Sequence, residues 1–205
     1  MAEDSSAIVT KLDGAIAVIR FNRPAQRNPL SISTLRDLER VWSELTLRDN
    51  VKTLIFTGTA DAFASGANIR ELAQLDSASA FQFSQLGQRL FQTIADAKQL
   101  TIAAINGYCL GGALDLALAC DIRVASESAV FSHPGARLGI ITGWGGTQRL
   151  PRIIGRARAL EFFATARRYS SAAALELGLI RQVGDPVVDC AIECAHGANA
   201  VASLS

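Results

Sequence analysis

The run Thr101-Ile102-Ala103-Ala104-Ile105-Asn106-Gly107-Tyr108-Cys109-Leu110-Gly111-Gly112-Ala113-Leu114-Asp115-Leu116-Ala117-Leu118-Ala119-Cys120 decides how the chain is read. It is apolar enough and long enough to be weighed as a bilayer span. It also contains Asn106, Asp115 and three glycines, and a carboxylate is costly in lipid. A buried strand at Thr101–Ile105, a glycine turn and a buried helix at Leu114–Ala119 account for it better. Working outward, Ala15–Phe21, Thr53–Thr57 and Ile122–Ala125 read as further strands from their β-branched content. Ser31 reads as the N-cap of a helix to about Arg48, with Ile32, Leu35, Leu38, Trp42 and Leu45 at helical spacing. Ser79–Ala97 reads as a second long helix, with Phe83, Leu86, Leu90 and Ile94 on one face. Helices follow at about Gly146–Ile154, Ala157–Ala166 and Ala172–Leu177. Strands alternating with helices predict an α/β fold with parallel pairing.

The composition narrows the function classes. A chain of 205 residues that is 49% hydrophobic and 19% charged can bury a full core, which excludes a disordered or disulfide-stapled protein. Lys+Arg total 20 against 19 Asp+Glu, so no strong polyanion field is present and a nucleic-acid partner is not expected. Arg149, Arg152, Arg156, Arg158, Arg167 and Arg168 crowd one region; it reads as a solvated or inter-subunit helix face, with no interleaved aromatics for RNA. Cys109, Cys120, Cys190 and Cys194 show no CxxC spacing and read as small apolar residues of a reducing compartment. With His133 and His196 the only histidines, no metal site is expected. Met1–Ser6 has neither a basic n-region nor an apolar h-region, so the expectation is no secretory leader, no membrane association and a cytoplasmic location.

Two glycine loops carry the chemistry: Ala62-Phe63-Ala64-Ser65-Gly66-Ala67-Asn68-Ile69 and Ile105 to Asp115. Each follows a buried strand, and the second leads into a helix. Glycine lets a backbone turn sharply and approach a ligand. Helix-start N–H groups lack intrahelical partners and favour negative charge. Two such groups aimed at one point would make an oxyanion hole.

These loops, with Asn22-Arg23-Pro24 upstream and Gly145-Gly146-Thr147-Gln148-Arg149-Leu150 downstream, resemble the crotonase (enoyl-CoA hydratase/isomerase) superfamily from about residue 7 to residue 184. The resemblance implies a spiral of ββα units, a homotrimer or hexamer, and stabilisation of a thioester enolate formed from an acyl-CoA. Coenzyme A then arrives as part of the substrate, and no separate cofactor is expected. The two enolate-binding N–H groups carry over to Ala67 and Gly112. Hydratases of the family use two glutamates; the first corresponds to Asp115, one methylene shorter, and the second to Gly135, which has no carboxylate. His133, two residues earlier, is the candidate substitute. Arg27 matches a basic position near the CoA phosphates, and Ala25, Ala64 and Ile69 match adenine and pantetheine contacts. Asp121 reads as a backbone-orienting carboxylate.

The leading expectation is therefore hydration of a trans-2-enoyl-CoA, a lyase reaction of fatty-acid or acyl-CoA metabolism. Double-bond isomerisation is the runner-up because one carboxylate is kept; hydrolysis or decarboxylation would also use the oxyanion hole. A non-catalytic CoA-binding scaffold is the alternative of another class. Residues 1–184 form the expected core domain. Residues 185–205, with a helix over Val187–Leu204, form a short segment where the family continues with more helices, which predicts a less closed site or an altered oligomer.

Overall fold

Thr53–Thr57 is apolar on both sides of its pleat because both faces of its sheet are covered. Leu54 and Phe56 point into the main core, whereas Ile55 joins Ile16, Val18, Ile102 and Val124 on the opposite face. The computed structural model describes residues 6–202, with side chains to residue 198. Residues 1–5 and 203–205, including the expected helix end at Leu204, lie outside the described residues.

The chain opens with the antiparallel hairpin β1 (Ile8–Asp13) and β2 (Ile16–Phe21). Sequence reading found β2 but not β1, whose residues after Ile8 are all exposed and so carry no apolar alternation. After β3 (Pro29–Leu30) comes α1 (Ile32–Thr46), which begins where expected because the Ser31 hydroxyl accepts from Thr34 N.

A ββα unit then recurs three times. The first is β4 (Thr53–Thr57), β5 (Ala62–Ala64), the short β6 (Gly66–Ala67), α2 (Ile69–Leu72) and α3 (Ser77–Ala95). The second is β7 (Leu100–Ile105), β8 (Tyr108–Leu110) and α4 (Gly112–Ala119). The third is β9 (Ile122–Ala125), β10 (Val130–Ser132), α5 (Gly135–Leu138) and α6 (Gly146–Ile154). The chain continues through α7 (Arg156–Thr165), β11 (Tyr169–Ser170), α8 (Ser171–Glu176), β12 (Gln182–Val183) and α9 (Val187–Ala202). The first strand of each unit enters a six-stranded sheet of order β1-β2-β4-β7-β9-β12, parallel from β2 onward. The second strand enters a smaller sheet of order β11-β10-β8-β5. The helix α3 starts two residues before the expected Ser79 because Asp76, not a later residue, caps it through Ser79 N at 2.8 Å.

Phe21, Phe56, Phe63, Phe91, Phe131 and Phe162 are fully buried in the main core. Val187, Ala191 and Ala195 of α9 cover the other face of the large sheet. The apolar Thr101–Cys120 run is divided among β7, β8 and α4, and no described helix is long and apolar enough to cross a membrane.

Candidate active site

The ladders of the small sheet set three chain turns side by side. Ala64 pairs with Cys109 and Cys109 with Phe131. The residues that follow each strand therefore emerge together: Ser65-Gly66-Ala67, Gly111-Gly112 and His133-Pro134-Gly135. The two glycine loops are pressed against each other. Gly66 has φ +87°, and a Cβ there would stand 2.4 Å from the Leu110 carbonyl oxygen and 3.1 Å from Gly112 N. Only glycine permits both the conformation and the approach. Gly112 is the first residue of α4, so its N–H belongs to the group of helix-start donors without an intrahelical acceptor.

These turns border a cavity of about 300 Å³, lined among others by Ala67, Ile69, Gly112, Asp115, His133 and Trp144. Asp115 lies in the first turn of α4 and is fully buried. Its Oδ2 accepts from the Thr142 hydroxyl. Its Oδ1 lies 3.5 Å from His133 Nε2; neither of these two buried atoms has a hydrogen-bond partner. His133 is held edge-on by Phe163 at 5.2 Å between ring centroids. Two glycines make room for this arrangement. A Cβ on Gly146 would collide with Asp115 Oδ1, and one on Gly135 would stand 2.5 Å from the Ile140 carbonyl oxygen. The turn at Gly135, where the resemblance leads one to expect a second carboxylate, is thus closed to any side chain unless residue 140 moves. Asp115 is the one carboxylate among the residues lining the cavity.

The other sequence-derived candidates occupy different surroundings. Arg27 and Ala25 are exposed and do not line the cavity, although the Arg27 carbonyl accepts from Ser65 N at 2.9 Å and so touches its rim. The Arg27 guanidinium pairs with Asp61 at 2.9 Å and lies 4.9 Å over the Tyr108 ring. Asn28 holds this left-handed turn by donating to Ala62 O and accepting from Arg23 N. Ala64 is fully buried in β5, and Ile69 is exposed at the cavity mouth. Asp121 orients backbone as expected, accepting from Thr101 N at 2.9 Å. Arg149 departs from the solvated-face reading: it is half-buried and donates to Trp144 O and Gln92 Oε1, tying α6 to α3. Burial, reinforced by the Asp115 charge, pushes the Cys109 thiol well above its ordinary range, and burial pushes Cys120 up to about 12. Among the described residues no cluster of three or more His, Cys, Asp or Glu could hold a metal. Sequence reading missed Thr142 and Trp144; the apolar and glycine-rich run Ile140–Gly146 was its only signal.

Comparison with known proteins places the chain in a family. A family model described as enoyl-CoA hydratase/isomerase matches residues 11–202. YngF of Bacillus subtilis (strain 168), whose name places it among enoyl-CoA hydratases/isomerases, is 43% identical over 182 residues, covering 88% of this chain and 70% of that protein. The short-chain-enoyl-CoA hydratase of Clostridium acetobutylicum is 36% identical over 180 residues, covering 87% of this chain and 69% of that protein. A crystal structure of enoyl-CoA hydratase from Bacillus anthracis matches with a TM-score of 0.89 at 36% identity, over 93% of this chain and 76% of that one.

Proposed function

The chain belongs to the enoyl-CoA hydratase/isomerase family, and from that membership we propose that it adds water across the C2=C3 bond of a trans-2-enoyl-CoA. The observation that carries this reading is a buried carboxylate, Asp115, facing a cavity at the junction of two glycine loops. The Ala67 and Gly112 N–H groups hold the thioester oxygen and draw charge from C3. Water attacks C3, and Asp115 Oδ1 takes its proton as the C3–O bond forms. Charge moves to the thioester oxygen, where the two donors stabilise the enolate; one such donor is typically worth about 3 kcal/mol. The enolate then collapses and C2 takes a proton, so one water is consumed in full. His133 Nε2 and Asp115 Oδ1, buried and unpartnered 3.5 Å apart, are groups whose partner comes from the cavity. A water bonded by both is positioned for attack, and the pair returns its proton to C2.

Coenzyme A enters as part of the substrate, with Arg27, Ala25, Ala64 and Ile69 assigned to its recognition by the family resemblance. The same resemblance supports a homotrimer or hexamer. Four free cysteines support a reducing compartment such as the cytoplasm.

A second reading, isomerisation of a 3-enoyl-CoA, is favoured by one observation: Asp115 is the one carboxylate lining the cavity, and moving a proton from C2 to C4 needs only one such base. Loss of the conjugated enoyl-thioester absorbance of crotonyl-CoA tests hydration directly. Wild-type protein should consume it, and Asp115→Asn should lower kcat by at least about a hundredfold. Inert crotonyl-CoA beside a turned-over 3-enoyl-CoA would replace hydration with isomerisation. Binding of CoA thioesters with no turnover of either would leave a scaffold.

A further inference from the structure

The Trp144 indole is 4% exposed and lines the cavity. Phe83 and Phe91 of α3 meet it edge-on, with ring centroids 5.0 and 5.5 Å away. Its Nε1 donates to the Phe83 carbonyl at 3.4 Å. Two glycines provide the room it fills: a Cβ at Gly87 would stand 2.4 Å from the indole, and one at Gly112 2.2 Å. The backbone on either side is tied down. Gln88 Nε2 donates to the Gly143 carbonyl at 2.7 Å, and Arg149 donates to the Trp144 carbonyl at 3.1 Å. A ring held by these contacts cannot swing aside without breaking several of them at once.

Its position relative to the reacting atoms gives this wedge a consequence. The ring lies against Gly112, one of the two residues assigned to the thioester oxygen. Ala80, Phe83, Ile140 and Ile141 line the same cavity as Asp115 and Trp144 and give it apolar walls suited to an acyl chain. At about 300 Å³ this cavity is at the small end of ligand pockets, which span roughly 300–1,000 Å³. We propose that the Trp144 indole is the end-stop of the acyl pocket and confines the chain to short, crotonyl-sized enoyl thioesters. This rests on the acyl-CoA reading above and adds to it the substrate class and the residue that sets it.

The test compares wild type with Trp144→Ala and Trp144→Phe in two arms. One arm measures kcat/KM for but-2-enoyl-, hex-2-enoyl- and oct-2-enoyl-CoA. The other measures calorimetric binding of butyryl-, hexanoyl- and octanoyl-CoA, which needs no turnover. Wild type should lose affinity and kcat/KM as the chain lengthens. In Trp144→Ala the octanoyl-to-butyryl affinity ratio should rise, by about fourfold for each methylene newly accommodated, and the kcat/KM ratio should rise with it. Trp144→Phe should lie between the two. Unchanged ratios in a folded variant overturn the end-stop. If Trp144→Ala does not fold, the same ratios in Trp144→Phe decide: a rise supports the proposal and no change overturns it. Saturated acyl-CoAs that bind while no enoyl-CoA is turned over would refute hydration alone, with the binding ratios still deciding the end-stop. A wild type that binds no acyl-CoA would remove both.

Discussion

Asp115 is one methylene shorter than the glutamate the resemblance leads one to expect, and Thr142 compensates by fixing its orientation. With Oδ2 occupied by the Thr142 hydroxyl, only Oδ1 is left toward His133 and the reactant. Thr142 is thus a positioning residue. Thr142→Val should lower kcat by about tenfold or more with little change in KM, since a hydrogen bond to a charged group is worth roughly 1.5–3 kcal/mol. Thr142→Ser should restore most of the loss. Steady-state kinetics on the double variant separate this role from a general structural one: with Asp115→Asn already present, Thr142→Val should cost almost nothing further. An undiminished penalty in that background would refute the assignment. Ala67, Gly112, Asp115 and His133 were named from the family resemblance, and all four line one cavity. Thr142 was not named, because its partner is 27 residues away and no local pattern links a loop threonine to a helix carboxylate.

Among the elements, α3 shows packing overriding propensity. It places Gly87 in the interior of a 19-residue helix, where alanine would be favoured by about 1 kcal/mol. Its Cβ, however, would stand 2.4 Å from the Trp144 indole, and overpacking of that kind typically costs about 1–3 kcal/mol. Gly87→Ala should therefore lower the midpoint of urea unfolding rather than raise it. A raised midpoint would mean that the indole shifts freely, which would also weaken the end-stop. The long helices and the strands of the large sheet were readable because they repeat apolar residues over several turns or run continuously apolar. The small sheet was not, since β5, β8 and β10 have three residues each and give no period to detect. It nevertheless brings the turns that carry Ala67, Gly112 and His133 together.

For the molecule as a whole, the two-sided burial of the large sheet and its helices sets how the interior responds to solvent. Cys109 and Cys120 lie in the main core, with thiols pushed up by burial. The reactive species is the thiolate, so at pH 8 both should stay silent toward an aromatic disulfide reagent until denaturant unfolds the chain. The half-buried Cys190 and Cys194 of α9 should label earlier. Labelling of all four at one fast rate in the native protein would contradict this core. The sequence by itself determined the α/β class, most element positions, the family and the two glycine loops with Asp115, because these depend on local spacing, turn chemistry and a motif order preserved along the chain. Only the tertiary structure decided that a side chain at Gly135 would meet the Ile140 carbonyl, that Thr142 hydrogen-bonds Asp115, and that the Trp144 indole lines the cavity. The first depends on how one turn folds back on the Ile140 carbonyl; the other two depend on contacts between residues some 27 to 61 positions apart, which packing across the core, not periodicity along the chain, sets.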